Sequence, residues 1–304
     1  MREIDYGLGR RLHDELIDSG AGGERAVLRR WTAAAAGLLD GLGPLRRREV
    51  PQVRGDGELG SWYRDGLYAL YALSRVSDLL IERGCPAGEA GPGPGVTGGR
   101  VLDRAALAVH GWFFERVGLE RVRRGAAFSP FHHEVFAVSV DESAGAVTVE
   151  DVLWPGFRFG DLLFCRAGVR VRAPSRLLDA GTATASTLYF TDRRDPRPSD
   201  DPSHGWGSNS QWRTRFHRFY EDSAGLHLNW DGEKYIGEGF VPPEDDANGA
   251  LSVRRRRELL LHRCLVTAPS PSEEQDHYPY DDRVSLRTGA WPLAAGDVLP
   301  DPVR

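Results

Sequence analysis

The chain of 304 residues is 40% hydrophobic and 27% charged, an ordinary globular balance, and its net charge of −5 speaks against a nucleic-acid partner. Lys234 is its only lysine, so the abundant arginine reads as the codon bias of a GC-rich genome. No apolar run approaches the ~20 residues that span a bilayer. "MREIDYGLGRR" has no apolar stretch behind it, and Cys85, Cys165 and Cys264 form no CxxC, so a cytoplasmic protein with reduced thiols is expected.

Three helices are predicted in the first third. Residues 24–42 carry Ala and Leu at helical spacing. Residues 61–83 place Leu67, Leu70, Tyr71, Leu73 and Leu80 near one face, with Ser61 as N-cap. Residues 101–117 continue the pattern with Leu102, Leu107, Phe113 and Phe114. The Pro- and Gly-rich "CPAGEAGPGPGVTGGR" between the last two reads as a surface loop.

Near Gly125 the pattern changes. "HHEVFAVSV" and "AVTVEDVLW" alternate about the turn "DESAG" and predict a hairpin. "GDLLFCRAGVRVRAP" and "STLYFT" are further strand candidates. "QWRTRFHRFYE" reads as a short helix, "GLHLNWDGEKYI" as a hairpin turning at Asp231-Gly232, and "LSVRRRRELLLHRCLV" as an arginine-studded helix. The tail from Ala268 is rich in Pro, Asp and Ser and is expected to run extended over the surface. The reading is a single domain of 304 residues, mainly α with a β-containing middle. It has a helical layer over 1–125, a mixed α/β binding part over 126–266 and an extended tail over 267–304.

No GxSxG, Walker A, HExxH or GxGxxG element is present, which leaves the nine histidines as the informative residues. On a strand, His132 and Glu134 share one face, so with a distant His227 they could found a two-histidine, one-carboxylate iron site. The bland alternative is a strand start with satisfied histidines. His110, in the apolar "ALAVHGWFF", is either a satisfied core residue or a proton acceptor lining a pocket.

The stretch "SHGWGSNSQWRT" is neither a core strand nor a good helix. Gly205 and Gly207 beside His204 permit close approach to a flat ligand, on which Trp206 could stack. Helical spacing would put Arg213 one turn from His217, beside Trp212, Phe216 and Tyr220. That set suits a heme edge, with imidazole to iron and guanidinium to a propionate. Ser208, Asn209, Ser210 and Arg213 also suit the carboxylate and ammonium of a free amino acid. The plain alternative makes His204 a turn residue and His217 a solvated one.

"SHGWGSNSQWRTRF", preceded by "LYFTDRR", with the upstream "PFHHEV" and "LWPGFRFGDLLFCRAGVRVRAP", resembles the heme-dependent L-tyrosine 3-hydroxylases of natural-product pathways over about residues 60–265. The resemblance implies a helical, tryptophan 2,3-dioxygenase-like homodimer holding heme b. It implies peroxide-driven hydroxylation of L-tyrosine to L-DOPA. His204, or alternatively His217, would then be the axial iron ligand and His110 the distal residue. Asn209, Ser210 and Arg213 would hold the amino-acid backbone or a propionate. A non-enzymatic ligand-binding protein is the third reading of the same residues.

Overall fold

The computed structural model describes residues 4–48, 58–85, 96–98, 102–122, 127–180, 183, 216, 218–244, 246, 251–261, 282–289 and 291–302. Four helices open the chain: α1 (Leu8–Ser19), α2 (Glu24–Gly41), α3 (Glu58–Gly84) and α4 (Arg104–Arg116). Leu8, Leu12 and Leu16 repeat every fourth residue in α1 and are buried, as are Val27, Leu28, Ala35, Leu38 and Leu39 of α2. Every residue of α3 from Ala69 to Ile81 is buried, so this helix runs through the core rather than over it. Asp103 caps α4 by accepting from the amides of Ala105 and Ala106 at 2.9 and 3.1 Å.

The remaining described elements are mostly strands. One sheet has the order β1-β3-β7-β4, from β1 (Val96–Gly98), β3 (His133–Val140), β4 (Thr148–Trp154) and β7 (Ala167–Ala173). The other has the order β10-β11-β9-β8-β6-β5-β2. Its members are β2 (Glu120–Arg121), β5 (Phe157–Phe159), β6 (Leu162–Cys165), β8 (Tyr220–Asp222), β9 (Gly225–Leu228), β10 (Lys234–Tyr235) and β11 (Asp282–Leu286). The chain leaves the first sheet after β4, makes the β5–β6 hairpin in the second, and returns as β7. The hairpin turns at Gly160, whose φ of 64° favours glycine and where a Cβ would meet the Arg46 carbonyl oxygen at 2.9 Å.

Alternation along the strands of the second sheet feeds two cores. Leu162, Phe164 and Tyr220 face the helices, together with Phe157, Phe159 and Phe216. Leu163, Phe219, Leu226, Leu228, Val284 and Leu286 face the opposite way, against Leu260 and Leu261 of α5 (Val253–Leu261). In the first sheet, Trp154 of β4 lies over Gly168 of β7, where no side chain fits between indole and backbone.

This architecture overturns the mainly helical, tryptophan 2,3-dioxygenase-like expectation. The described chain is an α+β arrangement whose two sheets draw on residues 96–286. The β-branched alternation of 133–140, 148–154 and 167–173 is the physical cause.

Several local expectations change as well. The predicted 132–154 hairpin does not form. β7 inserts between its two strands, parallel to β3 and antiparallel to β4. Tyr220 and Glu221 are strand, not the end of a helix, and the "GLHLNWDGEKYI" strands do not pair with each other. β9 lies between β8 and β11, and β10 pairs with β11 in parallel. The tail is not wholly a surface segment, because β11 is buried inside the sheet. The "STLYFT" segment lies outside the described residues. Among the described residues no helix is long and apolar enough to cross a membrane.

Candidate functional site: a histidine–carboxylate cleft

His204, Trp206, Ser208, Asn209, Ser210, Arg213 and His217 lie outside the described residues. The described chain stops before them at Ala183, packed against the first sheet's core, and resumes at Phe216. Phe216 donates its amide to the Leu67 carbonyl of α3 at 3.1 Å and stacks on Phe164 with ring centroids 5.8 Å apart.

His110 is a core residue. It is fully buried between Phe114 and Phe157, with ring centroids 5.1 and 5.6 Å away. Its Nε2 is 2.9 Å from Ser77 Oγ, and its Nδ1 has no hydrogen-bond partner among the described residues. Burial, helped by the Arg121 charge, pushes its pKa down to about 3, so the ring is neutral. No cavity described below is lined by it. Cys165, which shares the Ser77 hydroxyl, is a free thiol pushed up to about 12 by burial and is no nucleophile at neutral pH.

The three residues of the "HHE" run separate. His133 and Glu134 are buried on β3, whereas His132 sits in the turn before it. Arg166 holds that turn by donating Nε to the carbonyls of Pro130 and Phe131 at 3.0 and 2.9 Å. The His132 carbonyl accepts from Ala167 at 2.9 Å. His133 Nδ1 accepts from the Ser129 amide at 3.1 Å, and burial, helped by the neighbouring His132 and Arg166, pushes its pKa down to about 4, so the ring is neutral. The half-buried His132 ring turns outward to the β8–β9 hairpin. Its Nε2 is 3.1 Å from Glu221 Oε2, the same oxygen that takes Arg158 Nη1 at 2.9 Å.

The neighbouring hairpin residue holds the third histidine. Asp222 Oδ1 is 3.2 Å from His227 Nε2, and His227 Nδ1 is 2.9 Å from Ser285 Oγ on β11. Successive strand residues point to opposite faces, so Glu221 and Asp222 take His132 and His227 from opposite sides of the sheet. Burial of Asp222 works to raise its pKa, but the Ala224 amide, His227 and Arg48 outweigh it and hold the carboxyl below its ordinary value. Burial holds His227 below its ordinary value despite Asp222. The row Asp222–His227–Ser285 resembles a nucleophile relay, but Ser285 is 2% exposed and His227 1%, so no substrate reaches it.

His132, Glu134 and His227 therefore do not converge. Among the described residues no group of three or more His, Cys, Asp or Glu side chains could hold a metal ion. His110, His132, His133 and His227 each have one ring nitrogen engaged by a hydrogen bond.

A cleft of about 420 Å³ lies beside His132, between the turn at 127–129, the β8–β9 hairpin and residues 287–289. Glu221, Asp222 and Leu226 line it on one side, Phe128 and Ser129 on another. Ser129 Oγ is buried without a hydrogen-bond partner among the described residues. Arg287 is exposed at the rim and forms no ion pair among the described residues. Of these residues the sequence flags only His132. Glu221 lies eighty-nine residues further along, and no short-range spacing signals that pairing.

No family model, curated protein or solved structure matches the chain, so the chemistry of this cleft is what bears on its function.

Proposed function

We propose that the chain is a cytoplasmic protein that binds a small carboxylate-bearing molecule in the His132 cleft and exchanges a proton with it. A free aromatic amino acid is the first candidate ligand. The observation that carries this reading is that Arg287, which forms no ion pair among the described residues, and a carboxylate-held His132 line one cleft. Guanidinium groups take carboxylates in bidentate fashion. The Ser129 hydroxyl adds a donor, and Glu221 offers an acceptor to an ammonium group. Glu221 is an acceptor when ionised, so His132 Nε2 carries the hydrogen and Nδ1 is left to take a proton. Arg158 fixes Glu221 and so keeps that tautomer in place.

Titration with L-tyrosine, followed by the imidazole nitrogen resonances of His132, tests the reading. A shift of His132 that is lost in Arg287→Gln, and absent with tyramine, supports it. Tyramine binding as tightly as L-tyrosine, or an unaltered response in Arg287→Gln, overturns it.

The run "SHGWGSNSQWRTRF" favours a second reading, heme-dependent 3-hydroxylation of L-tyrosine with His204 or His217 on the iron. It rests on residues 203–217, which lie outside the described residues. A Soret band on adding hemin that disappears in His204→Ala or His217→Ala supports it, and unbound hemin removes it.

A further inference from the structure

Helix α5 carries Arg254, Arg257 and Leu261 at spacings of three and four residues, so the three share a face. That face looks across a cavity of about 470 Å³ to Trp291, Leu293 and Val298. The volume falls within the ~300–1,000 Å³ range of small-molecule pockets. Trp291 is held in place by donating Nε1 to the Leu177 carbonyl at 2.7 Å. The wall it forms is apolar, continuous with the core that holds Leu260, Leu261 and Leu286.

Arg257 is the unusual member. It is half-buried, and it donates Nε to the Ile236 carbonyl at 2.8 Å and Nη2 to the Gly237 carbonyl at 2.6 Å. Those bonds fix the guanidinium plane but do not neutralise it. Among the described residues no carboxylate lies within ion-pair distance; Glu238, which also lines the cavity, attracts it from further away. Burial holds its pKa below the ordinary arginine value, against the opposing pull of Tyr235 and Glu238. A half-buried charge whose nearest carboxylate is out of contact is costly, and an anion seated against it in the cavity relieves that cost.

We infer that this cavity is a second binding site, for a monoanion that joins a carboxylate to an aromatic or alkyl group. The carboxylate meets Arg257 with Arg254 beside it at the mouth, and the apolar part lies against Trp291, Leu293 and Val298. The site is separate from the His132 cleft and does not depend on it.

Calorimetric titration of the full chain with 4-phenylbutyrate tests the inference, with 4-phenylbutan-1-ol as the neutral counterpart. The carboxylate binds, and the alcohol binds at least about tenfold more weakly, the equivalent of ~1.4 kcal/mol. Arg257→Gln weakens carboxylate binding by about tenfold or more. Ala294→Trp places a large side chain from an exposed position into the cavity and abolishes binding while the protein stays folded by circular dichroism. That variant decides the matter if Arg257→Gln does not fold. In Arg287→Gln, where the His132 cleft has lost its guanidinium, the binding that Ala294→Trp abolishes persists. Equal affinity for the alcohol, undiminished binding in Ala294→Trp, loss of binding in Arg287→Gln, or no heat up to about 1 mM ligand overturns the inference.

Discussion

His110 makes folding stability depend on pH in a way that one substitution isolates. Folded, the ring has a pKa pushed down to about 3; unfolded, it returns to about 6.5. Below pH 6.5 the unfolded chain therefore binds a proton that the folded chain refuses, and stability falls as pH falls. From pH 6.5 to 5 the folded ring stays neutral, and the loss integrates to about 2 kcal/mol for this one residue. His133, with its pKa pushed down to about 4, adds a similar loss over the same interval. His110→Leu removes the first contribution. It also removes the buried Nδ1 that has no partner, and it leaves Ser77 without its imidazole contact. These offset at neutral pH, and the net change there stays within about 2 kcal/mol. Urea unfolding followed by tryptophan fluorescence at pH 7.5, 6.5, 5.5 and 5.0 (set points of about those values) measures both slopes. The expected result is a clearly shallower decline for His110→Leu than for the unsubstituted chain. Equal slopes would refute the claim that His110 is neutral and sealed in the core.

Two further substitutions probe the packing that positions the cleft. Arg218, fully buried beneath Tyr63 and Tyr220, is bound by Asp231. Asp231→Ala strands that charge and is expected to cost roughly 3–5 kcal/mol in chemical denaturation; a loss under about 1 kcal/mol would show that water reaches the site. Gly168→Ala drives a methyl into the Trp154 indole and is expected to cost about 1–3 kcal/mol or more. An unchanged melting temperature would mean that β4 and β7 are not in the register described here.

The helices were legible because their evidence is local. Leu67, Leu70, Tyr71, Leu73 and Leu80 repeat at helical spacing, and α3 forms there, although it begins before Ser61, which is interior rather than a cap. The strands at 133–140, 148–154 and 167–173 were legible as strands for the same reason. Their pairing was not, since which strand sits between two others is decided by packing across the sheet and not by the turn joining them. β11 was illegible for a different reason. Asp282, Arg283 and Ser285 look like surface residues, but Asp282 is bound by Arg256, Arg283 by Asp301, and Ser285 meets His227. Hydropathy cannot foresee partners supplied from elsewhere in the chain. The candidate site shares that limit. His132 is conspicuous in "PFHHEV", whereas Arg158, Glu221 and Arg287 become its neighbours only once the second sheet is assembled.

β11 also has a consequence for how the protein is made. It is the last described strand to leave the ribosome, yet it lies inside the sheet between β9 and β10. Until residue 286 emerges, β9 presents an open edge with Leu226 and Leu228 uncovered, and β10 has no partner strand among those described. An exposed apolar edge is a template for pairing with another chain. A stalled or prematurely terminated nascent chain that ends before residue 282 is thus expected to be far more prone to aggregation, and to capture by chaperones, than the loss of one five-residue strand suggests.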